Sequence, residues 1–230
     1  VAVNERGGIV LDRTPFYALG GGQPGETHHL TEEVQGAFHF TIGPYSDPVL
    51  HIRPGDRVIV DTMDAFGGAV QTEADLPSAR LTDAEHVYWS DRVTLPYRPH
   101  IGSLSTSPTR DSINSLTPDS HGGNMDLPDM GPGSITYLPV RSPGARLFIG
   151  DAHACQGDGE VCGTAVEYRS VTTIQVDLIK GWTIEWPRLE TEELIMAIGS
   201  ARPLEDATRI AYLAAVADTG FIAMLHTTRA

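Results

Sequence analysis

Residues 149–167 read IGDAHACQGDGEVCGTAVE, a stretch that combines strand-like alternation with several groups able to carry chemistry. Residues two apart share one face of a strand, so we expect Asp151 and His153 to project together. A Gly-Asp-Gly turn at 157–159 returns the chain and can bring Glu160 beside that pair. One histidine with two or three carboxylates suits a divalent cation such as zinc. The alternative is that Asp151 only caps the strand end and the aspartate at the turn only shapes it.

Two other acidic segments are candidates for the same site. In DSHGGNMD, residues 119–126, adjacent glycines allow the backbone to approach a ligand closely, and Asn124 and Asp126 follow two residues apart. In VDTMDAFGG, residues 60–68, Asp64 follows the end of an apolar strand. An acidic side chain at such a position is either a loop cap or a ligand, and the pattern leaves both possibilities open.

Strand-like runs dominate the chain around these segments. Residues 48–68 alternate at period two and break at Pro54-Gly55, which predicts a β-hairpin. Residues 70–90 are polar and predict a loop, and residues 93–133 predict a long ordered loop in which His100 lies on the surface. Three further strands are predicted in ITYLPV, ARLFIGDAHA and SVTTIQVDLI.

Helical periodicity is confined to the C-terminal part. Residues 191–217 contain two amphipathic segments interrupted at 201–203, with Met196 and Ile198 expected in a helical core. The predicted fold is therefore mainly β, with a β-sandwich-like body and a small helical C-terminal part. We expect an N-terminal strand and glycine-rich appendage at 1–35 and one larger domain at 36–230.

The composition limits the possible partners. The chain has 230 residues, a net charge of −14 and only one lysine, which argues against binding to the phosphates of a nucleic acid. No apolar run approaches the roughly 20 residues of a membrane span, and no leader pattern opens the sequence. Two cysteines, seven residues apart, suggest reduced thiols rather than a disulfide framework. These features predict a soluble, acidic, cytoplasmic protein.

The N-terminal segment LDRTPFYALGGGQPGET, residues 11–27, has a different character. Its sequence resembles that of the strand and turn at the start of the editing region of alanyl-tRNA synthetases. His28 and His29 stand beside it without the spaced histidine pair and distant Cys-His pair of that editing site. A run of glycines followed by proline is typical of a turn, so we predict a structural hairpin here. A role in tRNA editing is the minor alternative.

A collinear set of motifs over residues 36–215 resembles the acetamidase/formamidase family of amide hydrolases. The motifs are PGDRVIVDTMDAFGG, HGGNMD, YLPV, GDAHACQGDGEVCGTAVE, WPRLETEE and EDATRIAY. Three features depart from the family pattern: the connection at 70–95 is short, the glycine-rich beginning is unusual, and the C-terminal segment ends early. These departures put catalytic competence in question more than the fold.

The resemblance implies a set of site residues. Residue by residue, it places metal ligands at His39, Asp64, Asp126 and His153, and catalytic carboxylates at Asp151 and Glu160. Crowded carboxylates need a counter-charge, and a mixture of nitrogen and oxygen ligands favours zinc over magnesium or calcium. Glu160 is expected to act as the base beside the bound water. Candidate substrate-binding residues are Gly123, Asn124 and Gln156.

These expectations lead to metal-dependent hydrolysis of a short linear amide, such as formamide or acetamide, or of a small lactam. Amidases that use serine or cysteine with lysine are disfavoured because Lys180 is the sole lysine and no G-x-S-x-G motif is present. The alternative is a small-molecule or metal-binding module of the same fold with impaired catalysis. The family is usually oligomeric, so we expect a homodimer or a larger assembly.

Overall fold

The computed structural model describes residues 2–3, 9–10, 26–31, 39–63, 80–81 and 83–219. Over these residues the chain forms short β-strands and one α-helix. In chain order they are β1 (Ala2–Val3), β2 (Ile9–Val10), β3 (Thr27–Leu30), β4 (Thr41–Ile42), β5 (Arg57–Thr62), β6 (Arg80–Leu81), β7 (His86–Ser90), β8 (Val93–Pro96), β9 (His100–Ser105), β10 (Ile113–Asn114), β11 (Gly122–Asn124), β12 (Ile135–Tyr137), β13 (Phe148–Cys155), β14 (Val166–Glu167), β15 (Ser170–Gln175), β16 (Arg188–Glu190), β17 (Ile195–Ala197) and α1 (Leu204–Thr219).

The strands pair into small sheets rather than one large one. The sheet that builds the site has the order β11-β9-β13-β14, and all its pairings are antiparallel. Two three-stranded sheets have the orders β15-β5-β3 and β12-β16-β17, and a third, β6-β7-β8, is a meander. The predicted mainly β fold with a small helical C-terminal part is confirmed.

The pairing of β9 with β13 separates apolar from polar side chains. Its register aligns Ile101 with Ala152 and His100 with His153. Directly opposed residues share a face of a sheet, and successive residues alternate between faces. One face therefore packs Ile101 and Ala152 into an apolar cluster with Leu189, while the other face carries the two histidines. The apolar face of β13 thus packs into the core and holds in place the strand that carries the candidate site on its other face.

A second apolar cluster supports the far end of the same strand. Val87 and Ala154 are fully buried there, and Cys155 and Val166 pack against them. These side chains come from the meander, β13 and β14, so burial joins three elements around the strand end. The hydrophobic effect of this contact fixes β14 beside β13.

The predicted hairpin at 48–68 is wrong. Only β5 forms in the described part of this segment, and it pairs antiparallel with β15 and parallel with β3. Pro54-Gly55 starts the strand instead of connecting two strands, because the Asp56 carboxylate accepts hydrogen bonds from the backbone N–H groups of Arg53 (2.7 Å) and Glu26 (2.9 Å). The period-two pattern identified a strand, but a side-chain capping interaction determined where it begins.

The two predicted loops also contain strands. The segment 70–90 includes β6 and β7, while residues 70–79 and 82 lie outside the described residues. The segment 93–133 contains β8 to β11, and Gly102, Ser103 and Gly123 are strand residues. His100, expected on the surface, is only 4% exposed.

The first of the two predicted helices is also wrong. Residues 195–197 form β17, in which Met196 pairs with Leu189 of β16. Met196 and Ile198 pack against the apolar cluster from a strand, not from a helix. Pairing with β16 outweighs the helical periodicity, which is a weak preference in so short a segment. The second predicted helix forms as α1, with Glu205 and Asp206 in its first turn.

No helix in the described part of the chain is long and apolar enough to cross a membrane. Both Cys155 and Cys162 are free thiols. The predicted domain boundary at residue 35 remains a prediction, although β3, from within the predicted appendage, joins the sheet formed by β5 and β15.

Candidate active site

Four acidic side chains converge on one buried histidine. The Nε2 atom of His153 lies 3.3 Å from Oδ1 of Asp151 and 3.5 Å from Oε2 of Glu167. Asp126, which follows β11, and Glu160, at the turn after β13, approach the same ring. Two groups result, Asp126–His153–Glu160 and Asp151–His153–Glu167, and the ligand atoms in each lie within 4.8 Å of one another. Either group could hold a metal ion.

Gly102 supplies the space for this convergence. A Cβ atom at residue 102 would lie 2.7 Å from Oδ1 of Asp126, from Oδ2 of Asp151 and from Cε1 of His153. No side chain fits at such distances, and β9 can run beneath the cluster only as bare backbone. The carbonyl oxygen of Gly102 also accepts a hydrogen bond from the N–H of Asp126 at 3.1 Å. Gly102 therefore both leaves the space and positions one of the carboxylates.

Three of the site carboxylates lie on left-handed backbone. The φ angles are 45° at Asp126, 61° at Asp151 and 41° at Glu160. Non-glycine residues rarely adopt this region, and they persist there when the surrounding structure imposes it, as at functional sites. The left-handed backbone at these three positions accompanies the convergence of their carboxylates on His153.

A hydrogen-bonded row holds two of these carboxylates in place. Asn124 donates from Nδ2 to Oδ2 of Asp126 at 2.6 Å and accepts from the Oγ–H of Ser103 at 2.5 Å. The Ser103 hydroxyl also lies 3.3 Å from Oδ2 of Asp151. Both polar ends of Asn124 are used by protein groups, so it orients Asp126 and forms part of the site wall.

Two buried carboxylate oxygens lack a partner. Among the described residues, Oδ1 of Asp126 and Oε2 of Glu167 are inaccessible to solvent and accept no hydrogen bond. A buried, unsatisfied carboxylate oxygen is costly unless a cation compensates for it. Both atoms belong to the groups around His153. The residues present therefore fit a bound cation, and the mixed nitrogen and oxygen donors suit a divalent transition metal.

The electrostatics of the cluster agree with this fit. Burial, with the charges of Asp151 and Glu160, raises the pKa of Asp126 to about 8. Burial also raises the pKa of Glu167 to about 7, even though His153 opposes the shift. Without a cation, these carboxyls retain protons at a pH where ordinary carboxyls are ionised.

The pKa values of His153 and Asp151 shift in opposite directions because the two side chains form a pair. Burial alone would lower the pKa of His153, but its hydrogen bond to Asp151 and the negative charges around it raise the pKa to about 9. Burial would raise the pKa of Asp151, but the hydrogen bond and charge of His153 lower it below the usual range. In the absence of a metal ion, a proton on Nε2 of His153 thus supplies the positive charge that faces the carboxylates.

The structure brings together some of the predicted site residues and not others. Asp126, Asp151, His153 and Glu160 converge. His39 lies outside both groups, exposed, with its ring edge-on to Phe148. Asp64 lies outside the described residues.

Like Asn124, the other two predicted substrate-binding residues have structural contacts of their own. A Cβ at Gly123 would lie 2.5 Å from the carbonyl oxygen of Thr117, so this glycine is required by the packing of β11. Gln156 donates to the backbone oxygen of Asp126 at 2.6 Å, and its Oε1 contacts His153 at 2.8 Å. Its amide is therefore bound to protein groups on both sides.

Sequence reasoning missed three residues of the site: Glu167, His100 and Gly102. Glu167 is paired with His153 across β14 and β13, and His100 is paired with His153 across β9 and β13. Their places depend on strand register, which no local pattern specified. The alternation of His100 and Gly102 along one strand, followed by Leu104, was the available signal.

Comparison with known proteins gives a consistent result. The sequence model described as the Acetamidase/Formamidase family matches residues 97–220. The structure is similar to that of an acetamidase from Yersinia enterocolitica, with 53% identity, a TM-score of 0.81, and coverage of 88% of this chain and 84% of that one. It is also similar to an acetamidase from Bacillus halodurans, with 27% identity, a TM-score of 0.75 and 84% coverage of both chains.

Curated sequence relatives match over a shorter stretch. An acetamidase from Mycolicibacterium smegmatis is 40% identical over 82 residues, which are 35% of this chain and 20% of that protein. A formamidase from Methylophilus methylotrophus is 37% identical over 81 residues, which are 34% of this chain and 20% of that protein. The matched stretch thus spans only a fifth of the length of these two relatives. Residues 11–27 lie outside the span matched by the family model, so their resemblance to alanyl-tRNA synthetases remains a prediction.

Proposed function

The chain belongs to the acetamidase/formamidase family, and on that premise we propose that it hydrolyses short linear amides to a carboxylate and ammonia with the help of a divalent cation. One observation carries the proposal: four acidic side chains, Asp126, Asp151, Glu160 and Glu167, converge on the single buried imidazole of His153. Such convergence is stable when a cation offsets the repulsion.

Zinc is the cation that we propose. His153 offers one imidazole nitrogen. Asp126 and Glu167, one in each of the two groups around His153, offer buried carboxylate oxygens that accept no hydrogen bond. Mixed nitrogen and oxygen donors are typical of zinc, whereas calcium and magnesium prefer oxygen alone. When bound, such an ion supplies Lewis acidity to the carbonyl oxygen of the amide.

Glu160 is the proposed general base. It is partly exposed, on the turn after β13, whereas His153 is only 1% exposed, so Glu160 is the more accessible group for water and substrate. In the proposed reaction, Glu160 accepts a proton as the oxygen of water bonds to the carbonyl carbon. It then returns that proton to the nitrogen as the carbon–nitrogen bond breaks, which releases ammonia and leaves the carboxylate.

Asp151 has a different proposed role. It contacts the His153 ring and the Ser103 hydroxyl, and its lowered pKa keeps it ionised. A fixed negative charge there orients the imidazole and increases its basicity as a ligand. Asp151 thus acts through His153, while Glu160 acts on the reacting atoms.

The experiment is an ammonia-release assay on formamide, acetamide, propionamide and a small lactam. We expect turnover of at least one amide, loss of turnover with a chelator, and recovery when zinc is added. Zinc binding without turnover of any amide would instead support the binding module with impaired catalysis. Turnover that survives complete chelation would contradict the metal-dependent mechanism.

Assembly and location are separate proposals. We propose a homodimer in the cytoplasm, with the β12-β16-β17 sheet as part of the contact. Ile135 and Ile195 both pair with Glu190, so they occupy one row of this sheet, and they are 42% and 52% exposed. Exposed isoleucines on either side of Glu190 are apolar surface of the kind that subunit contacts cover. Light scattering at a monomer mass over all concentrations would contradict the dimer.

A further inference from the structure

A set of polar groups lies behind His153, on the edge of the ring away from the carboxylates. The Nδ1 atom of His153 lies 2.8 Å from Oε1 of Gln156 and 3.1 Å from Nε2 of His100. The Nδ1 atom of His100 lies 3.1 Å from the carbonyl oxygen of Arg98. All three side chains belong to β9, β13 or the residue just after β13, and both histidines are buried.

The orientation of the Gln156 amide follows from its other contact. Its Nε2 donates to the carbonyl oxygen of Asp126 at 2.6 Å, and a carbonyl oxygen can only accept. The amide oxygen of Gln156 must therefore face the histidines, and it too can only accept. Two ring nitrogens face that oxygen, Nδ1 of His153 at 2.8 Å and Nε2 of His100 at 3.0 Å, so one of them must be the donor.

The tautomer of His100 follows in the same way. Its Nδ1 faces the carbonyl oxygen of Arg98 and must carry a proton to make that contact favourable. In the neutral ring, Nε2 of His100 then carries no proton and cannot donate to Gln156. The Nδ1–H of His153 is therefore the donor, and it lies within reach of both Oε1 of Gln156 and Nε2 of His100. The two rings meet edge to face, with centroids 4.9 Å apart.

We propose that His100 and Gln156 are positioning residues that hold the Nδ1 proton of His153 and thereby present its Nε2 atom to the carboxylates. Gln156 also joins this arrangement to the backbone of Asp126, so one amide sets the orientation of two site groups from different segments. Neither residue touches the reacting atoms. Their effect on metal binding rests on the proposed function, whereas the position of the proton on His153 does not.

The opposite tautomer would be unfavourable at the Nδ1 edge of the ring and would block metal binding at the Nε2 edge. A bare Nδ1 would face the acceptor oxygen of Gln156, and each would lose a hydrogen bond inside the protein. The Nε2 atom would then carry a proton permanently toward Asp151 and Glu167 and could not serve as a ligand. Fixing Nδ1–H is therefore what allows the same ring to accept either a proton or a metal at Nε2.

Nitrogen NMR of the protein labelled with ¹⁵N-histidine shows directly which ring nitrogen of His153 carries a proton. The signals of His153 are assigned by comparison with the His153→Gln variant, and spectra are recorded for metal-free and zinc-loaded protein. We expect a proton on Nδ1 of His153 in both states, and a zinc-dependent shift confined to Nε2. A spectrum in which Nδ1 carries no proton in either state would overturn the proposal.

Variants then test which residues hold the proton. In Gln156→Met and His100→Phe we expect zinc affinity to fall about 10- to 100-fold and the Nδ1–H signal to broaden or disappear. Gln156→Glu retains an acceptor for His153 but loses the donor to Asp126, so it should keep the Nδ1–H signal and bind zinc with intermediate affinity. The control is His86→Gln, an exposed histidine paired with Asp83, which should leave both measurements unchanged.

The outcomes separate this inference from the proposed function. If the Nδ1 proton is found and responds to the variants but no amide is hydrolysed, the positioning role stands and the amidase proposal fails. If amides are hydrolysed while the variants bind zinc as the wild type does, the positioning role is wrong.

Discussion

Gly102 lies so close to Asp151 that a Cβ atom on the glycine would be 2.7 Å from the Oδ2 of the aspartate. The register places Gly102 between the pairs Ser103–Gly150 and Ile101–Ala152, directly beneath the carboxylate cluster. Gly102 does not have a positive φ, so its backbone conformation does not require glycine. Glycine is needed there because a side chain would not fit. The cluster depends on that space.

Gly102→Ala should therefore disrupt the site more than the fold. The added methyl group must displace Asp126, Asp151 or His153, and a displacement of about 1 Å can reduce activity about a hundredfold. We expect that loss in kcat/KM, with weaker zinc binding in calorimetry. The matched control is Gly150→Ala in the adjacent strand, where a Cβ would meet nothing within 4 Å. Equal zinc binding by both variants would contradict the role given to Gly102.

Glu160→Gln tests the proposed base. The amide keeps the size of the side chain but cannot accept a proton from water, so we expect kcat to fall about 10²- to 10⁴-fold. Asp126 and His153 remain, so zinc should still bind, which is checked by metal analysis of the purified variant. Asp158→Asn, an exposed change in the same turn, is the control and should retain activity. Full activity of Glu160→Gln with metal bound would require a different base.

The pKa shifts predict how stability depends on pH in the metal-free protein. Folding raises the pKa of Asp126 from 3.8 to about 8 and that of His153 from 6.5 to about 9, so the native state binds more protons than the unfolded state over this range. Stability from these groups is present at low pH and is lost as the pH rises through their native pKa values. The lowered pKa of Asp151 acts in the opposite sense, but only below about 3.8.

Urea unfolding at about pH 5 and about pH 9, with and without a chelator, measures this dependence. We expect the metal-free protein to be less stable at the higher pH and the zinc-loaded protein to lose that dependence. Zinc binding should also release protons and tighten as the pH rises. A metal-free protein that is equally stable at both pH values would show that the cluster is not strained by its own charges.

Local patterns predicted the parts of the fold and the site that are local in origin. Alternation along 149–155 predicted β13, and the turn at 157–159 correctly returned Glu160 toward His153. These features arise from residue types a few positions apart, whose faces follow from backbone geometry alone. The same reasoning predicted β15, where exposed and half-buried residues alternate.

Features that depend on distant pairing were not predictable in this way. The segment around Met196 has helical periodicity, but Met196 pairs with Leu189 and lies in a strand. His100 is buried because β9 pairs with β13, and nothing in its neighbouring prolines indicates that. Register is specified by side chains on both strands together, so one strand read alone leaves it open.

Glu167 is the missed residue with the most specific consequence, because it distinguishes the two groups around His153. Its Oε1 accepts a hydrogen bond from the N–H of Ala165 at 3.1 Å, while its Oε2 has no hydrogen-bond partner and lies 3.5 Å from Nε2 of His153. Glu167→Gln keeps the volume and an acceptor for Ala165. It replaces the unpaired carboxylate oxygen with an amide N–H₂ that cannot bind a cation.

We expect Glu167→Gln to weaken zinc binding by at least about tenfold if the ion is held by the group that contains Asp151. The pKa of His153 should fall as well, because the charge of Glu167 contributes to raising it. Calorimetry gives the affinity and stoichiometry, and histidine NMR gives the pKa; Glu192→Gln, an exposed change, is the control. If the pKa falls while zinc binds as tightly as before, the ion is held by His153 and Asp126 without Glu167. Glu167 then serves only to set the charge of the imidazole.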